Sequence, residues 1–600
     1  MNKSRKVESS RVKASRPRPG RPRWWLVLVL LAAGLGVFAW MHFGKSTVEK
    51  KYVPRPPGLL TFNKNIAPIV FSQCIGCHRA GQSGPFTLLN FAEVKKHMKE
   101  IAEVTTRRFM PPWLPEHGFG EFIGERRLSV NQIGMIQQWV AEGAVEGAAA
   151  DLPAIPQWPD GWQLGPPDLV VTMPQAYTLA AEGRDVYRNF VVPIPTTGTR
   201  YVRGIEFHPG NAKIVHHAFV KIDRTAQSRL LDKQDVEPGF PGMSGPGEIP
   251  NGHFLGWQPG RMPAMGREGL AWRLEPGTDL VLQMHLNPSG KPETIQSSLG
   301  LYFTDQPPTN TCFKVPLTSW AINIPAGETN HVIEDSYVLP VDVAVLAVLP
   351  HAHYLAKEMK GWATLPDGTE QPLLYIKQWD FNWQGDYRYV TPPLLPKGTI
   401  LSMRFTYDNS TNNARNPNHP PRRILHGLQS QDEMCELSFQ LLPRNPGELA
   451  LLENDFEAKK DKILFAYQEH LVRVDPNDDQ ARIHLGLHHY SAGRFSEAAR
   501  HWRAAIQVKP ALDTPHYYLG LMFRRQNNLL EAQLEFATTL QLNPANAKAH
   551  GNLGLMYLEQ GNLDQARFHF ENALRLNPDD TLAAEQLKAI RMARKSQGEN

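Results

Sequence analysis

Two short runs set histidines where a strand could aim them at an ion. In VHHAFV (215–220), His216 and His217 are adjacent in a stretch that otherwise reads as a β-strand. Successive side chains of a strand point to opposite faces, so the two rings should diverge and one should enter the core. A buried imidazole pair is costly unless both rings find partners. A twist or bulge would aim both at one ligand. In LPHAHYL (349–355), His351 and His353 are two apart, on one face of a strand and close enough to grip a single ion. His285 follows LVLQM near the end of another strand run, and Met434 stands in SQDEMCELSF just before Cys435. Imidazole suits copper, and a thioether is soft and favours Cu(I). Histidines alone would serve zinc or a structural copper equally well, so the assignment turns on Met434.

A third chemical signal is CIGCH, residues 74–78. This is the C-x-x-C-H pattern for covalent c-type haem, with Cys74 and Cys77 as thioether donors and His78 as the proximal iron ligand. A zinc site or redox pair built on the same cysteines would need two further ligands or a thioredoxin-like unit, and neither is nearby. The helical patterning of FAEVKKHMKEIAEVTTR and VNQIGMIQQWVAEGA follows, and the region 55–147 resembles a cytochrome c domain. The sixth haem ligand should be Met or His. Met110, in the proline-bounded RRFMPPWLPEHG, is the expected one; His117 is the runner-up, and Met98 and Met135 read as helix residues.

The elements that must hold these groups divide the 600 residues into several domains. The net charge of +5 is misleading, because residues 1–23 hold nine Lys or Arg and one Glu. The remainder is slightly acidic, so no nucleic-acid partner is indicated. Residues 24–41 are uncharged and apolar, and 18 residues of helix rise about 27 Å, nearly a bilayer. A basic cytoplasmic segment (1–23) and an uncleaved transmembrane anchor (24–43) are expected, with the rest outside the cytoplasm. A cleaved signal peptide would have a shorter apolar run and a small-residue cleavage site, which FAWMHFGKS does not offer. A Pro-rich linker (148–168) leads into short alternating runs divided near TDQPPTNT. Two all-β sandwich domains, 169–305 and 309–445, are expected. His208, His253, His331, His419 and His426 lack a partner at chelating spacing. His488 and His489 lie in a helix, solvent-facing or packed.

From 477 to 578 the chain repeats every 34 residues, with Gly486, Gly520 and Gly554 in register and Ala498, Ala532 and Ala566 likewise. These look like tetratricopeptide repeats, and an α-helical solenoid over 460–595 is expected. Such stacks present a concave surface that takes a protein partner; the plainer alternative is a stabilising tail.

The order His-His, His, His-x-His, Met across two β-domains resembles the copper type II, ascorbate-dependent monooxygenases, the family of peptidylglycine hydroxylating and dopamine β-monooxygenases. The resemblance covers about 168–445. It implies two copper ions, one on His216, His217 and His285 as an electron store, the other on His351, His353 and Met434 as the oxygen-binding centre. It further implies hydroxylation of a C–H bond with O2, two electrons and two protons, on a small-molecule or peptide substrate. Three positions depart from the peptide-amidating members. Leu349 stands where they hold the substrate carboxylate with Arg, and Glu436 and Ser438 replace their Asn and Tyr. A neutral or cationic substrate is therefore expected. In the family a Cys after the copper Met joins a disulfide. The apparent partner position here is Met403, and pairing of Cys435 with Cys312 stays open. The whole reads as a multidomain, single-pass bacterial inner-membrane protein, its bulk periplasmic, in which haem c feeds electrons to copper. The rival is a non-catalytic haem–copper electron-transfer or sensing protein whose repeats dock a partner.

Overall fold

In the computed structural model, which describes residues 51–80, 82, 84–157, 161–243, 245–250 and 252–596, four parts follow one another along the chain. The expected basic segment and membrane anchor lie outside the described residues. Among the described residues no helix is long and apolar enough to cross a membrane.

The first part is helical: Ala67–Gln73, Phe91–Lys96, Met98–Thr106 and Val130–Ala141 surround a core of Phe62, Val70, Ile75 and Trp139. Asn90 and Ser129 cap the second and fourth of these, each side chain accepting from an N–H of the first turn; Ser129 does so within a capping box. The helical segment FAEVKKHMKEIAEVTTR is split at His97, whose backbone (φ −107°, ψ 12°) leaves the helical region.

The middle of the chain is β-rich, as two sandwiches. In the first, a five-stranded sheet centres on Val186–Pro193, Asp279–Leu286 and Val215–Asp223, and faces a four-stranded sheet. Their inner faces meet in a core that includes Phe190, Val220, Leu282 and Leu301. In the second, Phe313–Thr318, Glu436–Pro443 and Val343–His351 form one sheet, and the other centres on Ile400–Tyr407. Val345, Phe405 and Phe439 fill the space between.

Two joints were not legible beforehand. Residues 113–123, expected inside the helical domain, are stitched to the second sandwich. Glu116 N–H donates to Tyr375 C=O (2.7 Å), Ile123 N–H to Arg388 C=O (2.8 Å), and Phe122 is buried in that sandwich's core. The second half of the expected linker is also docked. Trp162 stacks on His208 (3.8 Å between rings), and the backbone N–H of Gln163 and Leu164 donate to the Glu206 carboxylate (2.8 and 3.0 Å).

The helical array begins before residue 460, with the 29-residue helix Pro446–Val474. That helix packs Phe456 on Tyr337 and pairs Lys459 with Asp335 (2.7 Å), fixing the array to the second sandwich. Seven further helices follow, from Asp479–Ser491 to Thr581–Ser596. The repeated glycines explain themselves physically. Any side chain at Gly486 would run into Trp502, and a methyl group at Gly520 or Gly554 would stand 2.7 Å from Phe536 or Phe570. Only glycine lets the paired helices approach so closely.

Candidate metal and haem sites

The ladder between Val215–Asp223 and Asp279–Leu286 slips between Val215 and His217, so His216 is the extra residue of a β-bulge. The bulge returns His216 to the side of its neighbour, and His217 pairs directly with His285. His216 Nδ1 and His217 Nδ1 are 3.1 Å apart, and the His285 ring lies 4.9 Å from each of theirs. One nitrogen from each ring lies within 4.8 Å of the other two, making these three the group of His, Cys, Asp and Glu able to hold an ion among the described residues. His285 Nε2 donates to Asp185 Oδ2 (3.0 Å), which leaves Nδ1 as the lone-pair nitrogen. That Nδ1 is buried and has no hydrogen-bond partner among the described residues. Burial, with His285 beside it, pushes His216 down to about 4, and burial drives His217 well below its ordinary value. His216 and His217 are therefore neutral at pH 7, as metal ligation demands. The donor set fits copper: three imidazoles, one with an orphaned nitrogen and a carboxylate behind it.

His351 ends its strand and pairs across the ladder with Glu436. The ladder ends at that pair, and beyond it Met434 is linked to His353 through the Glu433 carboxylate. The His351 and His353 rings are 5.4 Å apart at 86°. Gln384 Oε1 lies 2.5 Å from His351 Nδ1, and the Asp432 carbonyl 3.2 Å from His353 Nδ1. Both rings therefore keep Nε2 for a ligand. Burial pushes His353 down to about 3. Glu433 clamps the two segments together. Its Oε1 accepts from the N–H of His353 and, at 2.8 Å, of Met434, and its Oε2 from Leu355 N–H (3.0 Å). The Met434 carbonyl is held by Tyr407 Oη (2.9 Å).

Leu349 pairs with Ser438 in the same ladder, so the three positions that depart from the peptide-amidating pattern lie together beside His351. Glu436 is already paired, with Lys314 Nζ at 2.9 Å and Ser438 Oγ at 2.5 Å. Burial works to raise its pKa, but these partners win and hold the carboxyl at about 2.

The two histidine sets meet at one side chain. Phe381, buried in the short turn Phe381–Trp383, stacks on His216 (4.7 Å, 24°) and lies edge-on to His353 (5.5 Å, 79°). The second sandwich also closes over the first set: Ser430 Oγ bonds Asp185 Oδ2 (3.1 Å), and Tyr187, stacked on His285, donates to Leu428 C=O (3.3 Å).

Cys74, Cys77, His78 and Met110 line one apolar pocket with Val70, Leu88, Ile101, Val104 and Phe109. The helix Ala67–Gln73 ends at Cys74, whose carbonyl accepts from Cys77 and His78 N–H (3.2 and 3.0 Å), coiling C-x-x-C-H into a tight loop. His78 Nδ1 lies 3.1 Å from the Phe86 carbonyl, leaving Nε2 for the pocket. Burial lowers the His78 pKa. Met110, stiffened by Pro111 and Pro112, lines this pocket and the neighbouring one that holds His117, while His117 does not reach the Cys74–Cys77–His78 pocket. Met98 and Met135 pack against the helical core. The donors and the apolar lining fit a haem held by two thioethers.

Cys312 and Cys435 do not bridge. Phe313 pairs with Leu441 and Thr318 with Glu436, so the cysteines flank opposite ends of that ladder, seven residues or about 24 Å apart at 3.4 Å per residue. A disulfide needs Cα atoms within about 7 Å. Of the remaining histidines, His208 bonds Glu206 (3.1 Å), and His488 and His489 are packed, on Phe465 and His501. Sequence reasoning missed Asp185, Phe381, Trp383, Gln384 and Glu433. The dense WDFNWQGD run around Phe381 was the one visible hint.

No curated protein matches the chain. Among solved structures it is similar to the first tetratricopeptide domain of Spaghetti (RPAP3), solved bound to an HSP90 peptide. That likeness has 19% identity over 20% of this chain and 94% of that one, at a TM-score of 0.19, too low to say anything of this chain's partners. The Tetratricopeptide repeat family matches residues 483–532 and 547–580. With the helix pairs and their glycine contacts, these matches identify the C-terminal array as tetratricopeptide repeats.

Proposed function

We propose that the chain is a copper-dependent monooxygenase that converts R–H, O2, two electrons and two protons into R–OH and water, its electrons arriving through a covalent haem c. The observation that carries this reading is the clustering of His216, His217 and His285, with the buried Nδ1 of His285 lacking a partner among the described residues. It faces a second set, His351 and His353, across a single ring. Copper bound at the two sets would supply the one-electron steps with dioxygen that no side chain can perform. The chain's own residues set up the rest. Asp185 fixes the tautomer of His285. Gln384 and the Asp432 carbonyl turn Nε2 of His351 and His353 toward a common ligand, and Glu433 ties His353 to Met434. Met434 is the soft donor that would favour Cu(I) at the second set. Cys74 and Cys77 would hold the haem, with His78 and Met110 as axial ligands.

Leu349 offers no cation to a substrate carboxylate, and Lys314 is engaged by Glu436. The substrate is accordingly neutral or cationic. The basic run 1–23 and the apolar run 24–41 support a single-pass anchor in a bacterial inner membrane, with the bulk of the chain in the periplasm and the repeats docking a protein partner. The test is oxygen uptake by the copper-loaded, haem-containing protein with neutral and cationic C–H substrates. Uptake matched mole for mole by hydroxylated product supports the reading. Copper and haem both present with no substrate-dependent uptake would favour an electron-transfer or sensing role.

A further inference from the structure

Among the described residues, Trp383 is the one residue lining the Cys74–Cys77–His78–Met110 pocket that comes from the β-domains. It lies edge-on to Phe109 of that pocket (6.4 Å, 75°). A methyl group built on Gly260 would sit 3.7 Å from Trp383 Cζ3 and 3.9 Å from Cys77 Sγ, so indole and sulfur flank the same point. Arg126 pins this corner, donating to the Gly260 carbonyl (3.0 Å) with the same Nη1 lying 3.8 Å from Cys77 Sγ.

Trp383 also belongs to the turn that touches both histidine sets. The next residue, Gln384, places Oε1 2.5 Å from His351 Nδ1. Two residues earlier, Phe381 stacks on His216. The turn is rigidly made. Asp380 accepts from Asn382 N–H (3.0 Å) and pairs with Arg415 (3.0 Å). Gln384 Nε2 donates back to the Phe381 carbonyl (3.1 Å), and Trp379 Nε1 donates to the His353 carbonyl (3.1 Å). Three residues of one four-residue stretch, Phe381, Trp383 and Gln384, thus link the haem pocket to an imidazole of each metal set.

We propose that Trp383, with Phe381 and Gln384, is the electron bridge between the haem and the copper centres. This rests on the haem–copper reading above. One electron leaves ferrous haem, which becomes ferric, and one cupric ion becomes cuprous; no proton moves. The route runs from the Cys77 thioether through the Trp383 indole. It then passes through Gln384 to His351, or through Phe381 to His216.

The test uses the full chain with haem and copper bound. A ruthenium polypyridyl photoreductant injects electrons, haem re-oxidation is followed optically at several protein concentrations, and loss of the cupric EPR signal is followed after freeze-quenching. In the wild type the re-oxidation rate should not depend on concentration. Trp383→Leu should slow it by an order of magnitude, with haem spectrum and cupric EPR signal unchanged. Trp383→Phe, which keeps a ring in place, should stay close to the wild type. An unchanged rate in Trp383→Leu, or equal slowing in both variants, overturns the bridge and leaves the monooxygenase reading standing. Absence of copper or haem in the wild type overturns both.

Discussion

Asp185→Asn should weaken copper binding at the His216–His217–His285 set without disturbing the fold. The carboxylate does two things there. It accepts from His285 Nε2 at 3.0 Å, which keeps the proton off Nδ1, and it places a negative charge behind the ligand. The hydrogen bond to His285 holds the Asp185 carboxyl below its ordinary range, so the charge is present at neutral pH. Its side chain is 22% exposed, so solvent screens the pair only in part. Asparagine keeps the shape. Its carbonyl oxygen can still accept from His285 and Ser430, but the charge is gone. Losing a partner of this kind weakens a metal site about 10–100-fold, or about 1.4–2.7 kcal/mol. Competition against a chromophoric copper chelator would read that change, with the haem spectrum as the internal check on folding. Asp185→Leu, which also frees the tautomer, should lose more. An Asn variant that holds copper as tightly as the wild type would refute the argument that Asp185 orients His285.

Three further outcomes follow from the same geometry. Met434→Ile should cost no more than about 1.5 kcal/mol of stability yet abolish turnover while haem and the first copper persist; normal hydroxylation would remove Met434 from the site. Glu433→Gln should destabilise by about 1–3 kcal/mol, measured by denaturant unfolding, because an amide nitrogen cannot accept and leaves at least one of three backbone N–H groups buried and unpaired; unaltered stability would contradict the clamp. With His216 near 4 in the fold against about 6.5 in the unfolded chain, the metal-free protein should lose stability as pH falls through that window. There the unfolded state takes up protons the folded rings refuse, at up to about 1.4 kcal/mol per unit for each group. Bound copper should accordingly survive below the ordinary imidazole range, and flat stability between those limits would count against the burial.

What could be read beforehand was what is written locally. C-x-x-C-H and His-x-His declare themselves by spacing, the 34-residue period by repetition, and the strands by alternation. The family resemblance, which asks His216 and His217 to share one ligand, called for a twist or bulge, and the bulge lies between Val215 and His217. What stayed hidden depends on contacts between distant segments. Asp185 is one acid among 59 until a neighbouring strand sets it against His285 a hundred residues later. Residues 113–123 have no period of their own, because their backbone partners are Tyr375 and Arg388. The pairing of Cys312 with Cys435 stayed open until the ladder register placed them at opposite ends.

The central claim is that one chain carries two copper centres and a covalent haem. Elemental analysis of the full chain after exposure to copper and zinc together, with haem quantified after acid extraction, tests it most directly. The account predicts two coppers and one non-extractable haem per chain, with one copper lost on replacing His285 and the other on replacing His353. Zinc at these sites, or haem released into the extract, would contradict it.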